Sequence, residues 1–204
     1  MTIVIDNRAN TRWENSDTSY KNYQSYIISK SERKFNLTML DLLYISNFKG
    51  GNASIHEDEI SVNKKLEQYS KMLIKIDERF GEKELIDLSV EDCDELIEVL
   101  TEACNLTKER ETKIYGIGAS YLSALLNAYF PNLIPILDRR VLINLKLVSK
   151  ADIVKSTKQI KNIERFYEKL VEKSAKLCQE GKDKTLRDID REYFIRVLDY
   201  DSLE

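Results

Sequence analysis

Histidine is almost missing from this chain. It has a single one, His56, so a metal centre built on several histidines is excluded. Its three cysteines, Cys93, Cys104 and Cys178, are odd in number and widely spaced. They match neither a disulfide framework nor a zinc or iron–sulfur pattern, and read as reduced, mostly buried thiols of a cytoplasmic protein. No segment reaches the roughly 18 apolar residues of a membrane helix, so no membrane partner is expected. The opening residues lack a basic segment followed by a long apolar run, which argues against a signal peptide. Two prolines and six glycines in 204 residues leave little to break helices. Excess positive charge is absent too. The net charge of −3 gives the whole chain no pull toward a polyanion.

What is present describes an ordinary globular chain, 42% hydrophobic and 33% charged, long enough to bury a substantial core. The charge is unevenly placed. Residues 77–111 hold 13 acidic against 4 basic side chains, and residues 146–187 hold 12 basic against 6 acidic. Such asymmetry orients a polyanion toward one side, or else marks two solvated helix faces of opposite sign. On a helix, Lys161 would meet Glu164, Lys169 would meet Glu172 and Glu172 would meet Lys176, which favours the charge-laced face.

Apolar spacing predicts helices and almost nothing else. Tyr20, Tyr23, Tyr26 and Ile27 share a face over residues 18–30, and Leu37, Leu40, Leu43 or Tyr44, and Phe48 share one over 37–48. Gly50, Gly51 and Asn52 stop that second helix. Leu66, Tyr69, Leu73, Ile76 and Phe80 define a long helix closed by Gly81. Ser89 and Asp92 form a capping box ahead of Leu96, Val99, Leu100 and Ala103. A short helix is expected from Asn105 or Thr107, and a long basic one over 151–178, with a break near Ser156. The last carries Leu186, Ile189, Phe194, Val197 and Leu198. Residues 7–17 look irregular, and residues 2–5 read either as a short strand or as an ordered leader. The expected fold is all-α, a single helical domain spanning 1–204 in two lobes. One lobe is 49–137; the other combines 1–48 with 138–204.

The chemistry concentrates in residues 114–141. Gly116 and Gly118 can take backbone angles closed to other residues and let a phosphate or another backbone approach. Leu122, Leu125, Leu126 and Tyr129 then mark a helix of about three turns that Pro131 ends. Its start offers unpaired N–H groups and a positive dipole end, which suits an anion. Asp138 follows a short apolar run at the start of the next helix. A lone Gly-x-Gly is common in turns. The fuller pattern has Ile114 two residues before the first glycine, Ile117 between the glycines, a helix, then Pro-x-x-Asp.

This pattern resembles the helix-hairpin-helix DNA glycosylase superfamily over residues 107–147. The resemblance implies that the hairpin, Tyr115 to Ser120 (Tyr115, Gly116, Ile117, Gly118, Ala119 and Ser120), grips a DNA phosphate, and that Asp138 is catalytic. It also leaves room for a monovalent cation on hairpin carbonyls, with no other cofactor. Bifunctional relatives carry a Schiff-base lysine two residues after the second hairpin glycine, where this chain has Ser120. The expected activity is therefore monofunctional base excision.

Each of these residues has a competing role. Asp138 stabilises positive charge developing on a deoxyribose, or simply caps a helix. The hairpin seats a phosphate, or is a tight helix connection. Arg139 and Arg140 meet phosphates, or pair with acidic neighbours. Tyr44, Phe48 and Tyr121 line a stacking pocket for an extruded base, or pack in the core. Ser120 hydrogen-bonds a phosphate or caps the helix. Three functions stay open: a DNA N-glycosylase-like hydrolase of DNA repair, a helix-hairpin-helix nucleic-acid-binding module without chemistry, and a helical interaction protein.

Overall fold

The computed structural model describes residues 4–51, 53–181, 184–198, 200 and 203. Among these the fold is all-α: α1 (Asn7–Ser29), α2 (Met39–Phe48), α3 (Glu59–Phe80), α4 (Val90–Leu106), α5 (Ala119–Tyr129), α6 (Arg139–Asn144), α7 (Tyr167–Glu180) and α8 (Leu186–Phe194). No helix is long and apolar enough to cross a membrane.

The first departure from expectation is at the start. Residues 7–17 are helical, because Asp6 accepts hydrogen bonds from the Arg8 and Ala9 amides at 3.0 and 3.1 Å and so caps α1. Ala9 and Trp13 then bury on the same face as Tyr20, Tyr23 and Ile27. The stretch before it forms no sheet. Ile5 bridges Arg196 in isolation, while Thr2 and Ile3, like Asn52 after α2, lie outside the described residues.

One expected helix is absent, and another is shortened to its second half. After α4 the chain turns without a further helix: the Thr112 hydroxyl donates to the Leu106 carbonyl, and the Tyr69 hydroxyl reaches both Leu106 and Thr112 carbonyls. Those bonds take up the carbonyls a continuing helix would need. After one 3-10 turn at Lys150–Asp152, residues 153–162 form a lysine-bearing loop, not a helix. Ile153 bridges Ile160, and Lys158 and Asn162 have positive φ angles of 57° and 46°. Helix α7 therefore begins at Tyr167. Of the expected ion pairs none forms, and Glu164 pairs with Lys108 across the fold. The last helix ends at Phe194, so Val197 and Leu198 lie beyond it.

The apolar side chains make one continuous cluster. Helix α1 packs along α2 and touches α5 and α8; α7 lies on α4 and on the turn at Leu85–Asp87; α8 lies on α6. A polar network sits inside the α1–α2–α5 junction. Asp41, with no exposed surface, accepts from Lys30, from the Tyr23 and Tyr129 hydroxyls at 3.0 Å, and from the Thr38 amide. Lys30 also donates to the Tyr129 hydroxyl at 2.9 Å. Every oxygen there has a partner, which is the condition for burying a charge at all. The cysteines are unpaired, and burial pushes the Cys104 thiol up to about 12.

Candidate functional site

The hairpin is held from below and open above. Ile114 and Ile117 are buried, whereas Tyr115, Gly116 and Gly118 are exposed. Glu57 accepts from the Tyr115 amide at 2.8 Å and pairs with Lys65, which also donates to the Lys113 carbonyl. The ammonium groups of Lys65 and Lys113 lie 5.8 and 5.1 Å from the centre of the exposed Tyr115 ring.

The two glycines serve different ends. Gly116 has φ +90°, and a Cβ there would lie 2.5 Å from the Ser54 carbonyl oxygen, so only glycine fits. Around Gly118 nothing lies within 4 Å of such a Cβ. The space above the start of α5 is therefore free. Side-chain oxygens of Asp6, Asp58, Ser89, Asp138 and Thr185 cap α1, α3, α4, α6 and α8, but α5 begins on Gly118 and has no such cap. Among the described residues the amides of Gly116, Gly118, Ala119 and Ser120 donate to no protein acceptor. That leaves four donors for water or an anion.

Helix α5 also positions Asp138. Its polar side chains fasten the segment that follows it: Asn127 donates to the Ile134 carbonyl at 2.6 Å, and Ser123 accepts from the Leu137 amide at 2.9 Å. Ser120 donates to the Leu137 carbonyl at 2.7 Å. Its hydroxyl thus ties the hairpin to the residue before Asp138, instead of facing a ligand or capping the helix. Asp138 accepts from the Arg140 amide at 2.8 Å and so caps α6, and its other oxygen lies 3.2 Å from the Lys49 ammonium. Its side chain keeps 20% of its surface open and that of Lys49 keeps 13%.

The remaining expected residues divide. Arg139 is half-buried and donates to the Lys158 carbonyl at 3.0 Å, which attaches the loop carrying exposed Lys155, Lys158 and Lys161 beside it. Arg140 turns inward. Its guanidinium is buried, with Nη2 donating to Asp6 at 2.8 Å and to the Arg196 carbonyl and Nε donating to the Phe194 carbonyl, so most of its donors are committed within the fold. Tyr44 stacks on Tyr23 and Tyr26, Phe48 packs on Tyr20, and Tyr121 is half-buried elsewhere; the three rings do not meet one another. A cavity of about 630 Å³ lies away from Asp138, lined by Lys146, Arg165, Phe166 and Lys169. His56 is exposed, and no group of three or more His, Cys, Asp or Glu among the described residues is placed to hold a metal.

Lys49 and a second charged layer behind it carry no signal in the sequence. Arg187 from α8 lies 3.8, 4.5 and 5.5 Å from the ring centres of Trp13, Tyr20 and Phe48, and pairs with Asp17 and Asp190 at 3.2 Å each. Burial pushes the Asp190 carboxyl up to about 6; Arg187 and Lys49 oppose that shift, and the Asp138 charge adds to it. A carboxyl raised from 3.8 favours the fold below pH 4 and loses that contribution as pH rises through about 6, up to roughly 3 kcal/mol. Asp190→Asn is accordingly expected to gain stability relative to the parent between pH 4 and 7. Urea midpoints of both proteins at the two pH values measure this, and a constant difference would contradict it.

No family model, curated protein or solved structure matches the chain.

Proposed function

We propose that the chain binds DNA in the manner of a helix-hairpin-helix DNA N-glycosylase and releases a base from the deoxyribose beside Asp138. One observation carries the reading: an uncapped, open helix start with four free amides is tied, through Ser120 and Ser123, to the segment that ends in a partly open carboxylate. The amides and the α5 dipole would take a backbone phosphate, which positions the strand without reading its sequence. Lys65, Lys113 and the lysines at 155, 158 and 161, with Arg139, would add non-specific phosphate contacts despite the net negative charge. As the base–sugar bond breaks, positive charge grows on the sugar ring. A fixed anion in a site partly shielded from water stabilises that charge and can orient the attacking water.

A second reading, a binding module that has lost its chemistry, draws on a different fact. Both Asp138 oxygens have protein partners, one a helix cap and one an ammonium, which is what a purely structural carboxylate looks like. Phosphate binding at the hairpin is common to both readings.

Gly118→Glu tests that common part cleanly, because open space surrounds the position and the fold has no reason to change. The variant is expected to melt like the parent and to bind a short duplex at least about tenfold more weakly, since a carboxylate would face the phosphate. Parent affinity should fall steeply as salt rises. Gly116→Ala should instead cost about 1–3 kcal/mol of stability through its backbone angle and its contact with Ser54. Equal DNA affinity of parent and Gly118→Glu would remove the hairpin from the account.

A further inference from the structure

We infer that the cavity between the end of α6 and the start of α7 binds a small phosphate monoester carrying an apolar group. The inference does not depend on the DNA reading, and no residue of the hairpin lines this space. The cavity has a volume of about 630 Å³, within the range of small-molecule sites. Its lining divides by chemistry. Val148, Phe166 and Leu203 are buried and supply apolar surface. Lys146, Arg165 and Lys169 are exposed and set three positive charges against one carboxylate, Asp152. That surplus of two suits a phosphate monoester, which is close to a dianion at neutral pH. A backbone phosphodiester carries a single charge and brings no apolar group, so a DNA strand would leave both the second charge and the apolar wall unanswered.

The cations are held ready and are not spent on the fold. The ammonium groups of Lys146 and Lys169 have no acceptor among the described residues. Asp152 does not neutralise them: one of its oxygens pairs with Arg165, and the other accepts from the Ser149 amide and hydroxyl at 2.8 Å each. The Arg165 guanidinium also lies over the Phe166 ring, 4.8 Å from its centre. Only its Nη2 is engaged by Asp152, so a fork fixed from two sides keeps its remaining N–H groups for paired phosphate oxygens. Lys146 adds a separate observation. It closes α6: its amide donates to the Ile143 carbonyl, the Leu147 amide donates to the Leu142 carbonyl, and its φ is +57°. Glycine makes that closure without strain, whereas here the strained position places an ammonium at the cavity. The amide of Val148 on the cavity wall donates to no acceptor among the described residues, and buried amides without a partner are rare.

Isothermal titration of the whole protein with phenyl phosphate, inorganic phosphate and phenol tests this. Phenyl phosphate is expected to bind with a Kd of about 1 mM or below, at least about tenfold more tightly than inorganic phosphate, and phenol is expected to give no heat. Lys146→Gly and Lys169→Gln should each weaken phenyl phosphate at least about tenfold, because each removes a charge-assisted hydrogen bond. Lys146→Gly should melt no lower than the parent, since glycine relieves the backbone angle, so the loss is one of binding and not of fold. Gly118→Glu should bind phenyl phosphate like the parent. No heat at millimolar phenyl phosphate, equal affinity for inorganic phosphate, or affinity unchanged in both lysine variants would overturn the inference and leave the hairpin reading standing. Displacement of phenyl phosphate by a short duplex would overturn it too, by assigning the cavity to the DNA surface.

Discussion

Asp138→Asn is expected to release base at least about a hundredfold more slowly than the parent, with little change in the fold. Asparagine caps helices as well as aspartate does, so its side-chain oxygen can keep the Arg140 amide bond and the start of α6. What disappears is the charge. The cation growing on the sugar then meets a neutral amide and an uncompensated Lys49 ammonium, and the site changes from attractive to repulsive. Alkali-sensitive breaks counted over a panel of duplexes carrying uracil, 8-oxoguanine, alkylated or hydroxymethylated bases measure the effect. Equal breakage by parent and variant on a substrate the parent processes would remove Asp138 from the chemistry. DNA affinity should stay within a few-fold, because the hairpin amides lie on another element.

The second large effect is on stability. Asp41→Ala is expected to cost about 3–5 kcal/mol, because it strands the shielded Lys30 ammonium and two buried tyrosine hydroxyls at once. It also strips the Thr38 amide of its partner at the start of α2. For a chain of this length that corresponds to a fall in Tm of roughly 10 °C. The double variant Lys30→Met with Asp41→Leu should recover part of the loss, since an apolar pair carries no stranded charge. A loss below about 1 kcal/mol for Asp41→Ala would mean that water reaches the network.

These two aspartates illustrate how much the sequence revealed. The place of Asp138 at the start of a helix is legible because it stands behind a contiguous signal, two glycines, a periodic helix and an apolar run, all within 25 residues of Ile114. The helices that bury a clean stripe were equally plain: Leu66, Tyr69, Leu73, Ile76 and Phe80 are all in the core. The Ser89 and Asp92 capping box forms as written. Helix α1 was half hidden, because its first turns bury only Ala9 and Trp13 and its cap, Asp6, lies outside the polar stretch it starts. The loop at 153–162 misled in the opposite sense. Ile153 and Ile160 sit seven residues apart, as on one helix face, but they meet as a bridge between two extended segments. No proline or glycine marks the turn, which relies on the positive φ of Lys158 and Asn162.

The partners of Asp138 were not legible at all. Lys49 and Asp190 lie 89 and 52 positions from it, on the end of one helix and the middle of another, and only packing brings them together. Nothing local distinguishes Lys49 from the other cations of the chain. The same holds for Arg187, whose setting among Trp13, Tyr20 and Phe48 draws on three separate segments. Sequence periodicity reports which face of a helix is buried. It does not report which neighbour that face will meet.

In the proposed complex DNA lies over the start of α5 with its sugar facing Asp138. An amide-resolved NMR titration with a tetrahydrofuran-containing duplex reads this directly. The amides of Gly116, Gly118, Ala119 and Ser120 should move first and saturably, together with those of Lys49 and Arg139, and Gly118→Glu should abolish the response. Shifts confined to the Lys146–Arg165–Lys169 cavity, or none at all at low salt, would contradict it.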